Sequence, residues 1–181
     1  MLHAVAVVKA GVFTILKVTV YLFGIDKVAE LAVADWLAAL AALTILLGSL
    51  VAMTKDNLKA RLAYSTISQL SYIVLGAMLG VAAGVVGGGM HIVMHAFGKI
   101  TLFFCAGAIL VAAHKTRVSE LDGLGRSMPL TMLAFLIGAL SIVGLPPFGG
   151  TRSKWWLVQG TQDTGAWMLT AVLLFSSLQN N

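Results

Sequence analysis

Long apolar runs separated by short polar connections fill this 181-residue chain. The runs cover residues 2–23, 36–54, 62–80 and 88–113, an interrupted stretch over 128–160, and residues 166 onward. Each meets or approaches the ~20 residues that a helix needs to cross hydrocarbon. The pattern predicts an all-α polytopic transmembrane helix bundle forming one domain over residues 1–181. The glycine-rich segment Gly84 to Gly89 reads as a tight, uncharged reversal between two spans, because glycine tolerates positive φ and close approach of helices. Within the fifth span, Gly144-Leu145-Pro146-Pro147-Phe148-Gly149-Gly150 removes backbone donors and disfavours the helix before it, so a broken helix is expected there. Such a break is tolerated in a membrane only where protein or water satisfies the freed backbone groups.

Composition supports the same class. Apolar residues make up 59% of the chain and charged residues 10%, with a mean hydropathy of +0.95, against roughly 25% charge in an ordinary soluble domain. The net charge of +5 comes from short clusters between spans rather than from a basic face, which sets nucleic acid aside as a partner. The lone Cys105 sits in an apolar span, where it reads as a small hydrophobe unable to form an internal disulfide or a metal cluster. No basic leader precedes the first span, so no signal peptide is expected, and both ends read as cut from a longer, transporter-like chain. If the connections alternate between two faces, one carries Lys55, Lys59, Arg61, Lys115, Arg117 and Arg126 and the other only Lys27. The first face is therefore expected in the cytoplasm.

Against this apolar background, basic residues stand where they are costly. His91, His95 and Lys99 recur every four residues in one span, which places them on one slowly drifting helical face. An ionisable group at bilayer depth costs roughly 3 kcal/mol or more and usually faces a protein interior or a water path. Histidine titrates near neutral pH and a desolvated lysine does so too, so the stripe reads as a proton relay. Interhelical hydrogen bonding is the plainer alternative. A metal site is set aside because no third ligand stands nearby and Lys99 would repel the ion. Lys154, just past the Gly144 to Gly150 break, completes the leading hypothesis of proton or cation translocation. Its alternative is a surface loop in which Arg152 and Lys154 snorkel and Trp155 and Trp156 join an aromatic belt.

All seven carboxylates (Asp26, Glu30, Asp35, Asp56, Glu120, Asp122, Asp163) fall in connections or at span ends, so neither a paired-carboxylate hydrolase nor a carboxylate cation cage is expected. The counter-carboxylate for the membrane lysines is expected outside this chain. Lys9 reads as buried and Lys17 as a snorkelling anchor, while His114 reads as solvated. The run Tyr64-Ser65-Thr66-Ile67-Ser68-Gln69-Leu70-Ser71-Tyr72 is polar all round a helix and is expected to pack on other helices, through hydrogen bonds first and water-path lining second.

At these residues the chain resembles the antiporter-like membrane subunits shared by respiratory complex I (NADH-quinone oxidoreductase) and the Mrp-type multisubunit cation/proton antiporters. Four segments carry the likeness: Leu2-His3-Ala4-Val5-Ala6-Val7-Val8-Lys9-Ala10-Gly11, the stretch Asp56 to Gln69, His91-Ile92-Val93-Met94-His95-Ala96-Phe97-Gly98-Lys99, and Gly144 through Lys154. The resemblance implies a fold of two inverted helix repeats, each with a broken helix, of which this chain resembles a piece of the second half. It further implies that His3, His91, His95 and Lys99 lie on a central polar axis, with Lys154 beside the second broken helix. Lys9-Ala10-Gly11 leans toward the Mrp-like branch. Gly98, where the family often has an aromatic residue, and Arg152, where it often has a bulky one, depart from the pattern. The implied partners are other membrane subunits, the lipid bilayer and protons, with sodium or another cation in the Mrp branch. The implied location is a bacterial or archaeal inner membrane. No cofactor, redox centre or catalytic residue is expected in this chain, and the runner-up role is a packing subunit whose buried polar groups only hold helices together.

Overall fold

The computed structural model describes residues 7–179, and His3 lies outside them. The described residues form helices and no strands. Helix α1 (Val8–Val18) runs into a π-helical turn (Thr19–Phe23), and α2 (Ile25–Glu30) is a short turn of helix after Gly24. Then follow α3 (Ala32–Thr54), α4 (Leu58–Met78), α5 (Ala82–Ala113), the single turn α6 (Leu124–Ser127), α7 (Pro129–Val143), α8 (Gly149–Asp163) and α9 (Trp167–Gln179). Of these, α3 and α5 are both long and apolar enough to cross a bilayer.

The expected reversal at Gly84 to Gly89 does not occur. Those glycines lie inside α5, and the chain turns earlier, at Leu79 to Val81, where Gly80 takes φ +63° against the backbone of Ala29. The glycines serve helix contact instead. A Cβ placed on Gly76 would lie 2.5 Å from the Gly84 carbonyl oxygen, one on Gly87 would lie 2.8 Å from the Leu157 nitrogen, and one on Gly160 would lie 2.9 Å from the Gly84 nitrogen. Small residues let helix backbones approach closely where apolar burial between helices gives no net drive. A run of glycine signals a turn in water and a packing seam in lipid, and the sequence pattern alone does not separate the two.

Gly138 packs on Leu102, Ile142 on Gly98, Ser153 on His91, Leu157 on Gly87 and Gly160 on Gly84. Read in order, these contacts lay α7 and then α8 along α5 in the opposite sense, with residues 144–148 between them. Gly144 ends α7 with φ +88°, a left-handed conformation that suits glycine.

The connections gather at two ends. At one, residues 56–58 meet 116–119: Leu58 N donates to Thr116 O at 2.9 Å, Val118 N to Asp56 O at 2.7 Å, and Asp56 accepts from both the backbone N and the hydroxyl of Ser119. Those bonds, backbone first, hold the Asp56 carboxyl below the ordinary carboxylate range, and the Arg117 charge adds to the effect. This end carries Lys55, Lys59, Arg61, Lys115 and Arg117, five of the six basic residues expected on one face. At the other end, Gly80 meets Ala29, and Asp35 lies with Leu79 and Thr164 around one small cavity.

Candidate functional site

Helix α5 presents His91, His95 and Lys99 on its inner face, and all three are at most 2% exposed. Lys9 of α1 is 6% exposed and Lys154 of α8 is 9% exposed. The four-residue spacing produces a physical stack: the His91 and His95 rings lie 5.6 Å apart at 11°, and the Tyr72 ring of α4 lies 5.5 Å from His91 at 15°. Beyond Tyr72, the Lys154 ammonium sits 5.8 Å from the centroid of that ring. At the other end of the row, Lys99 donates to the Leu62 carbonyl oxygen at 3.2 Å and to the Ser65 hydroxyl. A row of buried titratable and aromatic groups therefore extends from Lys99 to Lys154 through the bundle.

Neutral oxygens hold both lysines. Lys154 Nζ donates to the carbonyl oxygens of Ile142 and Val143, the latter at 3.0 Å, and to the Ser177 hydroxyl at 2.7 Å. These carbonyls end α7, where unsatisfied backbone oxygens give the helix its negative pole, so the end of α7 supplies backbone partners for the cation beside the Ser177 hydroxyl. All seven carboxylates are exposed, and none lies among the buried polar residues. Lys9 Nζ and both ring nitrogens of His95 are buried without a hydrogen-bond partner. Arg152, in contrast, is exposed with Trp155 at the rim of an outer cavity of about 540 Å³, so it faces away from buried Lys154. Lys17 and His114 are exposed, as the sequence leads one to expect.

His91 has the most informative surroundings. Its Nδ1 lies 3.0 Å from Ser153 Oγ and its Nε2 lies 2.9 Å from Gln69 Oε1. Ser153 Oγ donates to the Gly150 carbonyl, so the proton shared with His91 belongs to Nδ1. With Gln69 Oε1 toward it, Nε2 could bond only as a donor, an arrangement that suits an imidazolium. A half-turn of the Gln69 amide presents Nε2–H instead, which suits a neutral ring and also gives that otherwise unpartnered nitrogen a bond. Each protonation state of His91 thus has a matching amide orientation.

The sequence reading gave Gln69, Ser65 and Tyr72 only a general role as part of a polar run, and gave Ser153 and Ser177 none. Three of them lie in the hydroxyl-rich run of α4, whose outer positions Tyr64 and Ile67 are exposed, so that run is not buried all round. Its Ser68 joins Ser49 of α3 and Ser176 of α9 in a buried hydroxyl cluster, at 2.9 Å and 3.1 Å. The run therefore ties helices together on one side, as expected of it, and partners the basic row on the other. Among the described residues, no group of three His, Cys, Asp or Glu is placed to hold a metal.

The family model for the transmembrane region of NADH:quinone oxidoreductase and Mrp antiporter subunits matches residues 1–179. The chain belongs to this family. As a member of the NADH:quinone oxidoreductase/Mrp antiporter family it is an integral membrane protein. It is 45% identical to NADH-quinone oxidoreductase subunit N of Desulforudis audaxviator over 148 residues, covering 82% of this chain and 29% of the relative. It is 36% identical to subunit L of Mycobacterium tuberculosis over 166 residues, 91% of this chain and 25% of that protein. Two solved complexes share the fold. The Mrp complex from Dietzia sp. superposes with a TM-score of 0.86 at 28% identity, covering 95% of this chain and 32% of the matched one. The archaeal membrane-bound sulfane sulfur reductase gives 0.87 at 32% identity, covering 98% and 36%. The chain thus spans less than a third of the length of these curated family members.

Proposed function

We propose that this chain is part of a proton-translocating subunit of a multisubunit membrane complex, in which Lys99, His95 and His91 relay protons and Lys154 exchanges them with one side. The observation that carries the reading is the buried row itself. Four titratable groups at 9% exposure or less are held by ring stacking and neutral oxygens and by no buried carboxylate. A structural ion pair would fix a charge, whereas groups resting on neutral acceptors are free to gain and lose protons. His95, with two unpartnered nitrogens, and Lys9, with an unpartnered ammonium, are the positions where bound water would complete the relay.

The relatives' names support the class: NADH-quinone oxidoreductase subunits N and L on one side and an Mrp complex on the other. In the first setting quinone reduction in other subunits would drive the protons; in the second the proton gradient would drive sodium or another cation. The partners proposed are the other membrane subunits of the same assembly and the bilayer of a bacterial or archaeal inner membrane, with the basic end in the cytoplasm. The counter-carboxylate is assigned to the rest of the subunit or to a neighbour. We further propose that α7 and α8 together make one interrupted membrane crossing, and that His3 extends the polar axis.

The buried Ser49, Ser68 and Ser176 cluster favours a second reading, a packing subunit whose polar groups only join helices. Proton and sodium flux in vesicles bearing the full-length assembly separates the two. Lys154→Ala is expected to abolish flux while the complex still assembles, and dependence on NADH or on sodium then selects the branch. Unchanged flux overturns the assignment of Lys154.

A further inference from the structure

The carbonyl oxygens that hold Lys154 are the two that proline leaves without a donor. In an α-helix each carbonyl accepts from the N–H four residues further on. For Ile142 and Val143 those positions are Pro146 and Pro147, which have no N–H. Both oxygens accept from the Lys154 ammonium instead, at the negative pole of α7. The Ser177 hydroxyl donates to the Val143 oxygen at 2.7 Å, which leaves its lone pairs for the same nitrogen. The Tyr72 ring stands 5.8 Å away, and the aliphatic stem of Lys154 passes Gly144, where a Cβ would lie 3.1 Å from its Cδ. Lys99 has no such setting: the Leu62 oxygen it uses lies inside α4 and already accepts from the Thr66 hydroxyl at 2.7 Å.

Resting on the reading of Lys154 as an exchange site, we propose that Ile142 O, Val143 O and Ser177 Oγ form a binding site for one monovalent alkali cation, with the Lys154 ammonium as its tethered occupant. Carbonyls at the C-terminal end of an interrupted membrane helix are ligands of the kind that coordinate such ions, and an aromatic face adds to the attraction. Charge sets the occupancy. No carboxylate lies among the buried described residues, so the cradle holds a single positive charge, and the ammonium and a free cation exclude one another. A divalent ion would meet a far larger desolvation cost among the same neutral oxygens. Lys154 thereby sets the specificity of this point of the row: while its side chain fills the cradle, free alkali cations are kept out.

The test measures binding of radioactive sodium, and separately of rubidium as a potassium substitute, to the purified full-length assembly. Two variants open the cradle. Lys154→Ala removes the side chain, and Lys154→Met keeps the stem and frees only the place of the nitrogen. Each is expected to bind one more ion per copy of this chain than wild type, saturably, and the ion gained names the cation that fits. If one variant fails to assemble, the other carries the comparison. Adding Ser177→Ala is expected to weaken the extra binding several-fold. No gain of either ion, or a gain untouched by Ser177→Ala, overturns the cradle. Flux reads the exchange role separately. An extra ion in a Lys154→Ala assembly with unchanged flux would leave the cradle standing and sink the exchange role, whereas lost flux with no extra ion would do the reverse.

Discussion

His91 stacks on Tyr72 with ring centroids 5.5 Å apart, and the Lys154 ammonium lies 5.8 Å from the centroid of the same Tyr72 ring. Tyr72 thus bridges His91 of α5 and Lys154 of α8, and its hydroxyl donates to the Leu173 carbonyl at 2.9 Å, anchoring it to α9.

Tyr72→Phe keeps the ring and loses that hydrogen bond. It is expected to cost about 1 kcal/mol of stability, the usual net value of one such bond, while leaving flux close to wild type. Tyr72→Leu removes the aromatic face as well and is expected to reduce flux several-fold. Thermal stability and flux measured on the same full-length preparations check the pair, and equal flux in the two variants would deny the ring a part in the path.

Gln69 offers a sharper probe of His91. Gln69→Glu places a carboxylate 2.9 Å from the position of Nε2 and would pin the ring as an imidazolium, so flux is expected to fall strongly although the geometry is nearly unchanged. Gln69→Leu leaves the ring nitrogen without a partner and should cost ~1–3 kcal/mol, the penalty for an unmade buried bond. Nitrogen chemical shifts of labelled His91 in the two variants would report the ring's protonation directly.

Glycine substitutions separate the packing seam from open surface. Gly84→Ala would drive a Cβ to 2.5 Å from the Gly76 carbonyl oxygen, which is backbone and cannot step aside. Overpacking of this kind costs ~1–3 kcal/mol or more. Gly11→Ala meets nothing within 4 Å in the middle of α1 and is expected to be neutral or stabilising by up to ~1 kcal/mol from helix propensity. Unfolding temperatures of the two assembled variants check the contrast.

The Asp56 clamp predicts an acid limit for the basic-face connection. Its carboxyl is held low by Ser119, so its stabilising contribution is complete above the unfolded-state value near 4 and disappears as pH falls through the lower folded value. No change is therefore expected from this group between neutral pH and about 5. Loosening of residues 116–121 is expected only in stronger acid, read as amide hydrogen exchange. Asp56→Asn should show the loosened connection at neutral pH and lose that acid transition.

The chain's own pattern determined that this is a helical membrane protein, that His91, His95 and Lys99 share one face, and that a helix ends ahead of the Pro146-Pro147 pair that precedes Lys154. Those follow from hydropathy, from the helical period and from the backbone limits of proline, which act within a few residues. Tertiary structure alone decided whether Gly84 to Gly89 turns or packs, because that depends on Gly76 and Leu157 arriving from other helices. It also decided that Lys154 rests on the end of α7 rather than on a carboxylate, and that Gln69, Ser65 and Ser153 serve the row from α4 and α8. Hydrogen bonds between helices reach across tens of residues of sequence, and no local spacing records which hydroxyl in a polar run will face which base.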